Sequence, residues 1–179
     1  MTPEKTPEVV EKSTQRVAFS VMEAYKMIRT NLVFSLATSD KRIVVFSSSE
    51  PSAGKSTLSA NLAIVMAQTG ARVVLVDADM RKPTQHRNFK VTRTMGLSKI
   101  LGGLATVDEC VCRQVKPNVD LIPSGPTPPN PSELLGSSRM LKLLEELAAQ
   151  YDYVFVDMRC RKRLCLPIGA YRPYPEGGK

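Results

Sequence analysis

IVVFSSSEPSAGKST, residues 43–57, is the stretch on which the rest of the chain turns. Ile43 to Phe46 are apolar and mostly β-branched, the composition of a buried strand. A loop of small polar residues follows, and Gly54-Lys55-Ser56-Thr57 opens an amphipathic helix expected to stop near Gly70. Strand, loop and helix start together make a phosphate site. Backbone N–H groups of Ser52, Ala53, Gly54 and the first helical turn, Lys55, Ser56 and Thr57, point at an anion that the helix dipole favours. Lys55 neutralises the outer phosphates, the Ser56 hydroxyl ligates Mg²⁺, and Gly54 lets the backbone come close. The strict G-x-x-x-x-G-K-[ST] spacing fails only at its first position, where Ser49 stands.

Outward from that stretch, 179 residues suffice for one domain with a real core. Hydrophobic residues make up 42% and charged residues 23%, the proportions of a soluble globular protein. No apolar run approaches the ~20 residues of a membrane span, and MTPEKTPEVVEK lacks the apolar core of a signal peptide. A cytoplasmic protein is therefore expected. Cys110, Cys112, Cys160 and Cys165 read as reduced thiols whose spacing fits no zinc framework. The net charge of +8 is unevenly spread: from Met158 onward six basic residues face Glu176 alone, which is +5 of the total and leaves +3 for residues 1–157. No basic stripe with interleaved aromatics runs through that body, so nucleic acid is not an expected partner.

Residues 1–19 read as a mobile polar leader, and a helix is expected from about Ser20 to Leu36 on the spacing of Val21, Ala24, Ile28 and Leu32. Glu23, Lys26 and Arg29 recur beside that stripe, as a solvated edge or as a face that pairs with another subunit. After the phosphate loop, Leu58, Leu62, Val65 and Met66 mark the buried face of the helix. RVVLVDADMRKP follows, an apolar strand at Val73–Val76 ending in Asp77 and Asp79. Two such strands joined by a helix imply a parallel sheet, whose ligands bind beyond the carboxyl ends of the strands. Both aspartates are thus expected beside the phosphate loop, one for the metal's water shell and one to accept a proton. His86 reads as solvated, Cys110 and Cys112 as part of an apolar turn, and Val119–Ile122 as a third strand. GPTPPNPSELL gives a rigid loop and a helix start, with Asn130 as N-cap, Pro131 first and Glu133 closing a capping box. Met140, Leu141, Leu144, Leu147 and Ala148 form the buried face of the next helix, and YDYVFVD is a fourth strand that ends in Asp157. The expected fold is α/β, a parallel sheet with helices on both faces.

This order of motifs resembles the bacterial tyrosine kinases (BY-kinases) of capsular and exopolysaccharide synthesis, P-loop proteins akin to partition-type ATPases. EAYKMIRTNL is similar to the family's E-x-x-R-x-x-R helix, SSEPSAGKST to its Walker A segment and VVLVDADMRKP to its A′ segment. GPTPPNPSELL and YDYVFVD are similar to its proline-rich loop and Walker B strand. The resemblance covers about residues 20–157. It implies a P-loop fold and transfer of the γ-phosphoryl of ATP to tyrosine, on the chain itself and on other proteins, with a transmembrane modulator as activating partner. By the same resemblance Lys55 contacts phosphates, Ser56, Asp77 and Asp157 hold Mg²⁺, and Asp77 with Asp79 positions the metal and activates the acceptor hydroxyl. Glu23, Lys26 and Arg29 would dock subunits into a ring, Lys26 standing where the family has its first arginine.

After Asp157 the family continues with a small hydroxyl residue, two prolines, further strand and helix units and a tyrosine cluster. Here the chain reads MRCRKRLCLPIGAYRPYPEGGK, a basic segment without either period. A truncation or shifted frame near residue 158, a disordered tail over 158–179 and an incomplete sheet are the expectations; Tyr171 and Tyr174 are the tail's possible acceptors. Three functions stay open: a tyrosine kinase, a protein that binds nucleotide and partner without turnover, and a partition-type ATPase. The last has a lysine four residues before Gly54, where this chain has Glu50.

Overall fold

The computed structural model describes residues 7–39, 42–48, 50 and 53–159. Ser52, Cys160, Cys165, Tyr171 and Tyr174 lie outside the described residues, as does the expected tail from residue 160 on. The chain divides into two units, Met1–Ser39 and Asp40–Lys179.

In the second unit two apolar strands, β2 (Val73–Asp77) and β5 (Tyr153–Asp157), run parallel at the middle of a five-stranded sheet, Val73 opposite Tyr153 and Asp77 opposite Asp157. Every residue of both is buried, as an unbroken apolar run signals for a strand covered on both faces. β1 (Ile43–Phe46) pairs in parallel with the other side of β5, and β4 (Val119–Ile122) with the other side of β2. β3 (Cys112–Lys116) runs antiparallel to β4 and ends the row, giving the order β1-β5-β2-β4-β3. The parallel sheet is as expected. Cys112, however, begins an edge strand and not a turn. CRQVK alternates neither in polarity nor in burial, and its pairing slips between Cys112 and Lys116 around Gln114, whose φ is 48°.

Alternation along the strands sends Val74, Val76, Val154 and Val156 to one face. There they form one core with Leu97 and Leu101 of α4 (Leu97–Gly102), Leu135 of α6 (Pro131–Leu135), and Met140, Leu143, Leu144 and Leu147 of α7 (Ser138–Gln150). The other face, with Val73, Leu75 and Phe155, meets α2 (Lys55–Ala67), which packs on β2 and β5. α2 is not the amphipathic helix expected: from Ser59 on it is buried on most sides, and Leu58 is exposed. In α7, Leu143 takes the fully buried place expected of Leu141. Asn130 precedes α6 with Pro131 at its first position, but no capping box forms; the Asn130 amide donates to the Glu133 carboxylate at 2.7 Å. A capping box does form at α5 (Val107–Cys110), between Thr106 and Glu109.

The first unit contains α1 (Pro7–Leu36), which starts well before Ser20. Pro7 suits the first helical turn, and the polar residues after it are mostly good helix formers, so an apolar stripe is not needed to extend it. Phe19, Met27 and Phe34 are exposed on it.

Candidate functional site

Asp77 and Asp157 end adjacent parallel strands in register, on the face that meets α2. The helix begins beneath them because Gly54 takes φ 78°, a left-handed turn that only glycine enters without strain, and the chain enters α2 at Lys55. A side chain at Gly54 would meet no neighbouring atom, so it is the backbone angle that demands glycine within the protein.

Lys55 reaches from this turn to both flanking strands. Its ammonium lies 2.7 Å from Asp157 Oδ1, 3.4 Å from Asp79 Oδ2 and 3.4 Å from Ser56 Oγ. Its side chain is 10% exposed and that of Asp157 0%, so this is a desolvated ion pair. Ser56, Asp79 and Asp157 therefore converge on one cation. Such hard oxygen donors, one or two of them carboxylates, suit Mg²⁺ held jointly with phosphates. Among the described residues no cluster of three or more His, Cys, Asp or Glu side chains is arranged to hold a metal unaided.

Asp77 sits beside this set and faces elsewhere. Its Oδ2 accepts from the backbone N–H of Thr84 and Gln85 at 3.2 and 3.1 Å, and its Oδ1 from that of Asp79 at 3.3 Å. It thus ties the loop after β2 back onto the strand. Burial, then the Asp157 carboxylate, pushes its pKa up to about 7 against the backbone N–H groups of Gln85 and Asp79.

One residue of the site passed unnoticed in the sequence. Gln85, at the start of α3 (Gln85–Asn88), is fully buried. Its Nε2 lies 2.6 Å from Asp157 Oδ2, 3.0 Å from the Ser56 carbonyl and 3.0 Å from Ser59 Oγ, while its Oε1 accepts from Asn88. It holds one oxygen of Asp157, leaving the other for the cation. A glutamine in a polar loop carries no local signal of this.

A cleft of about 600 Å³ opens beside these groups, lined by Ala53 to Thr57, Asp79, Arg81 to Thr84 and His86 to Asn88. His86 lines it and is not simply solvated: its Nδ1 is buried with no hydrogen-bond partner among the described residues. Burial first, then Arg93 and Arg87, lowers its pKa. Arg159 lines the cleft as well, and Met158 is buried with its N–H bonded to the Phe46 carbonyl, so packed structure continues past Asp157. On α1, Lys26 and Glu23 form an exposed ion pair at 2.8 Å, one turn apart, with Arg29 three residues on.

A family model described as AAA domain matches residues 41–166. The chain is 43% identical over 135 residues to the tyrosine-protein kinase YwqD of Bacillus subtilis (strain 168), which is 75% of this chain and 57% of that one. The chain belongs to the AAA-domain family. Another relative of this AAA-domain chain is the putative tyrosine-protein kinase CapB of Staphylococcus aureus, 37% identical over 138 residues, 77% of this chain and 60% of that one. The chain spans less than two thirds of the length of either relative. Among solved structures, the kinase domain of Escherichia coli tyrosine kinase ETK matches with a TM-score of 0.75 at 37% identity, covering 77% of this chain and 54% of that one. The cell division ATPase MinD of Pyrococcus furiosus matches with a TM-score of 0.60 at 22% identity, covering 69% of this chain and 52% of that one, a likeness of fold alone.

Proposed function

We propose that the chain is an ATP-dependent protein-tyrosine kinase domain acting in the control of capsular or exopolysaccharide synthesis. The observation that carries this is the Lys55 ammonium, bound at once to carboxylates at or beyond the ends of β2 and β5 in a family whose relatives are named tyrosine-protein kinases. Phosphoryl transfer needs positioning and charge neutralisation more than covalent help. Gly54 to Thr57 cradle the phosphates with backbone N–H groups, together with Ala53 and Ser52 before them. Lys55 swings from Asp157 to the outer phosphates, so that binding exchanges one ion pair for another. Ser56 and Asp157 would hold Mg²⁺, with Asp79 beside its water shell, and the bound ion would neutralise the charge that builds on the transferred group. Asp79 lines the cleft and takes the tyrosine proton; Asp77, turned to the backbone, positions the loop that carries Asp79. A cytoplasmic location, a transmembrane modulator as partner, and a ring docked through Glu23, Lys26 and Arg29 belong to the same reading.

The test is transfer of labelled γ-phosphate from Mg²⁺-ATP to tyrosine, on the chain itself and on a tyrosine peptide. Lys55→Met is expected to lower transfer by about 10²-fold or more. Nucleotide binding with no phosphotyrosine would make the chain a binding protein, and phosphate release without transfer an ATPase; either would overturn the kinase reading. Glu50, where the partition ATPases have lysine, speaks against the ATPase outcome.

A further inference from the structure

The cleft carries more positive charge than a nucleotide asks for. Lys55 is matched by Asp79 and Asp157. Arg81, Lys82, Arg87, Arg93 and Arg159 also line the cleft, against Glu50 as the other acid among the described lining residues. None of the five forms an ion pair among the described residues. A triphosphate with its Mg²⁺ brings about −2, which leaves part of this wall unmatched.

Two of the five are fixed in place. Arg87 donates from Nη2 to the Pro83 carbonyl at 3.2 Å, and Arg93 from Nη1 to the Gly125 carbonyl at 3.1 Å. Both line the same cleft as His86. Their place in the fold puts them on the β2–β4 side of the phosphate cradle, which Gln85 of α3 touches through the Ser56 carbonyl. Arg87 lies on α3 after β2, and Arg93 is pinned to the loop after β4, whereas Gly54 to Thr57 follow β1 on the far side of β5. Between the two stand Lys55, Asp79 and Asp157, where a terminal phosphate would sit. The arginines thus line the side from which an acceptor would approach that phosphate. A planar guanidinium held by one bond still offers its other donors to a carboxylate.

We propose that Arg87 and Arg93, with Arg159, form an acceptor-docking surface that selects tyrosines flanked by aspartate or glutamate. This rests on the kinase reading above, and the experiment separates the two. Matched fluorescent peptides with one tyrosine between either acidic or uncharged residues are titrated against the whole chain, with Mg²⁺ and a non-hydrolysable ATP analogue present. Anisotropy is expected to show about tenfold tighter binding of the acidic peptide at low salt, and most of that margin should vanish near 0.5 M NaCl. Arg87→Gln with Arg93→Gln should erase the margin. Arg159→Gln, outside every helix and strand, should reduce it and serves if the double variant does not fold. Equal binding of the two peptides overturns the proposal. So does weaker binding of the acidic peptide with the analogue than in a parallel titration without it, or an equal loss of analogue binding in the variants, since either assigns the arginines to the nucleotide. Acidic-peptide binding without phosphotyrosine would sink the kinase reading and keep the surface; phosphotyrosine formation without acidic preference would do the reverse.

Discussion

At the scale of single residues, the site depends on how Asp157 is held. It is fully buried and carries a charge that Lys55 and Gln85 share, one on each oxygen. Gln85→Leu removes the Gln85 half and the donor to the Ser59 hydroxyl, while the Ser56 carbonyl keeps the Ser59 hydroxyl as a donor. The expected loss is about 1–3 kcal/mol in urea unfolding. A purely structural role would stop there. A positioning role should also raise the Mg²⁺ concentration needed for nucleotide binding by about 10-fold or more, as removal of a partner behind a metal ligand does. An unchanged Mg²⁺ midpoint would reduce Gln85 to packing. Asp77 gives a prediction in pH. Burial and the Asp157 carboxylate raise its pKa from 3.8, the value of a free aspartate side chain, to about 7 in the fold, so the native state binds the extra proton between those values. Its contribution to stability is full below about pH 4 and is lost as pH rises through about 7, at no more than about 1.4 kcal/mol per pH unit. His86, with its pKa lowered, works in the opposite sense, so the comparison to make is with Asp77→Asn. That variant should show a flatter fall in nucleotide-free stability from about pH 5 to 8; an identical slope would mean that Asp77 is ionised throughout.

At the scale of elements, the sequence was most legible where strands are buried on both faces. VVLVD, VDLI and YVFVD are short apolar runs between turns and are buried strands; IVVF is a strand too, but at the end of the row it is only half-buried, with Val45 exposed, and not the buried strand its composition predicts. β3 is the exception, because what holds it is not in its own pattern. Asp120 on β4 accepts from the Gln114 N–H at 2.6 Å, from Tyr151 Oη at 2.6 Å and from Arg113 at 3.2 Å, while Arg113 also donates to Tyr151 and Asp108. A side chain thus takes the place of a ladder bond where the pairing slips. Burial and the Asp120 carboxylate hold the Tyr151 hydroxyl well above its usual pKa, so it remains a donor. Tyr151→Phe should cost about 1–2 kcal/mol. Its sharper mark is local: amide exchange at Cys112–Lys116 should quicken by about 10-fold while β2 and β5 keep their protection, as fits an edge that opens before the centre. Uniform acceleration would mean that the network supports the whole sheet.

At the scale of the whole molecule, a linear reading identifies the parts of the site but not who stands beside whom. The motifs around Lys55, Asp79 and Asp157 were each visible; the order β1-β5-β2, which brings Asp157 between the phosphate loop and Asp79, comes from the sheet. That order makes the site part of the stability of the fold. Lys55→Ala strands a fully buried Asp157 carboxylate, and losing one member of such a pair costs about 3–5 kcal/mol. The mutation therefore weakens the nucleotide-free protein as well as its ligand binding. Ser56→Ala is the cleaner probe, since Ser56 Oγ lies at only 3.4 Å from the ammonium and its removal strands no charge. Nucleotide at a hundred times its dissociation constant should add about 2.7 kcal/mol to the unmutated chain, a rise in Tm of about 5–10 °C for a chain of this size. Chelating the metal should remove most of that rise. In Ser56→Ala the nucleotide-free Tm should stay within a few degrees of the original, and the part of the shift that depends on Mg²⁺ should shrink while the metal-free part persists. If the metal-dependent part survives Ser56→Ala intact, the hydroxyl is not a ligand. Asp79 and Asp157 would then have to hold the ion from the strand side, with the phosphates completing its shell.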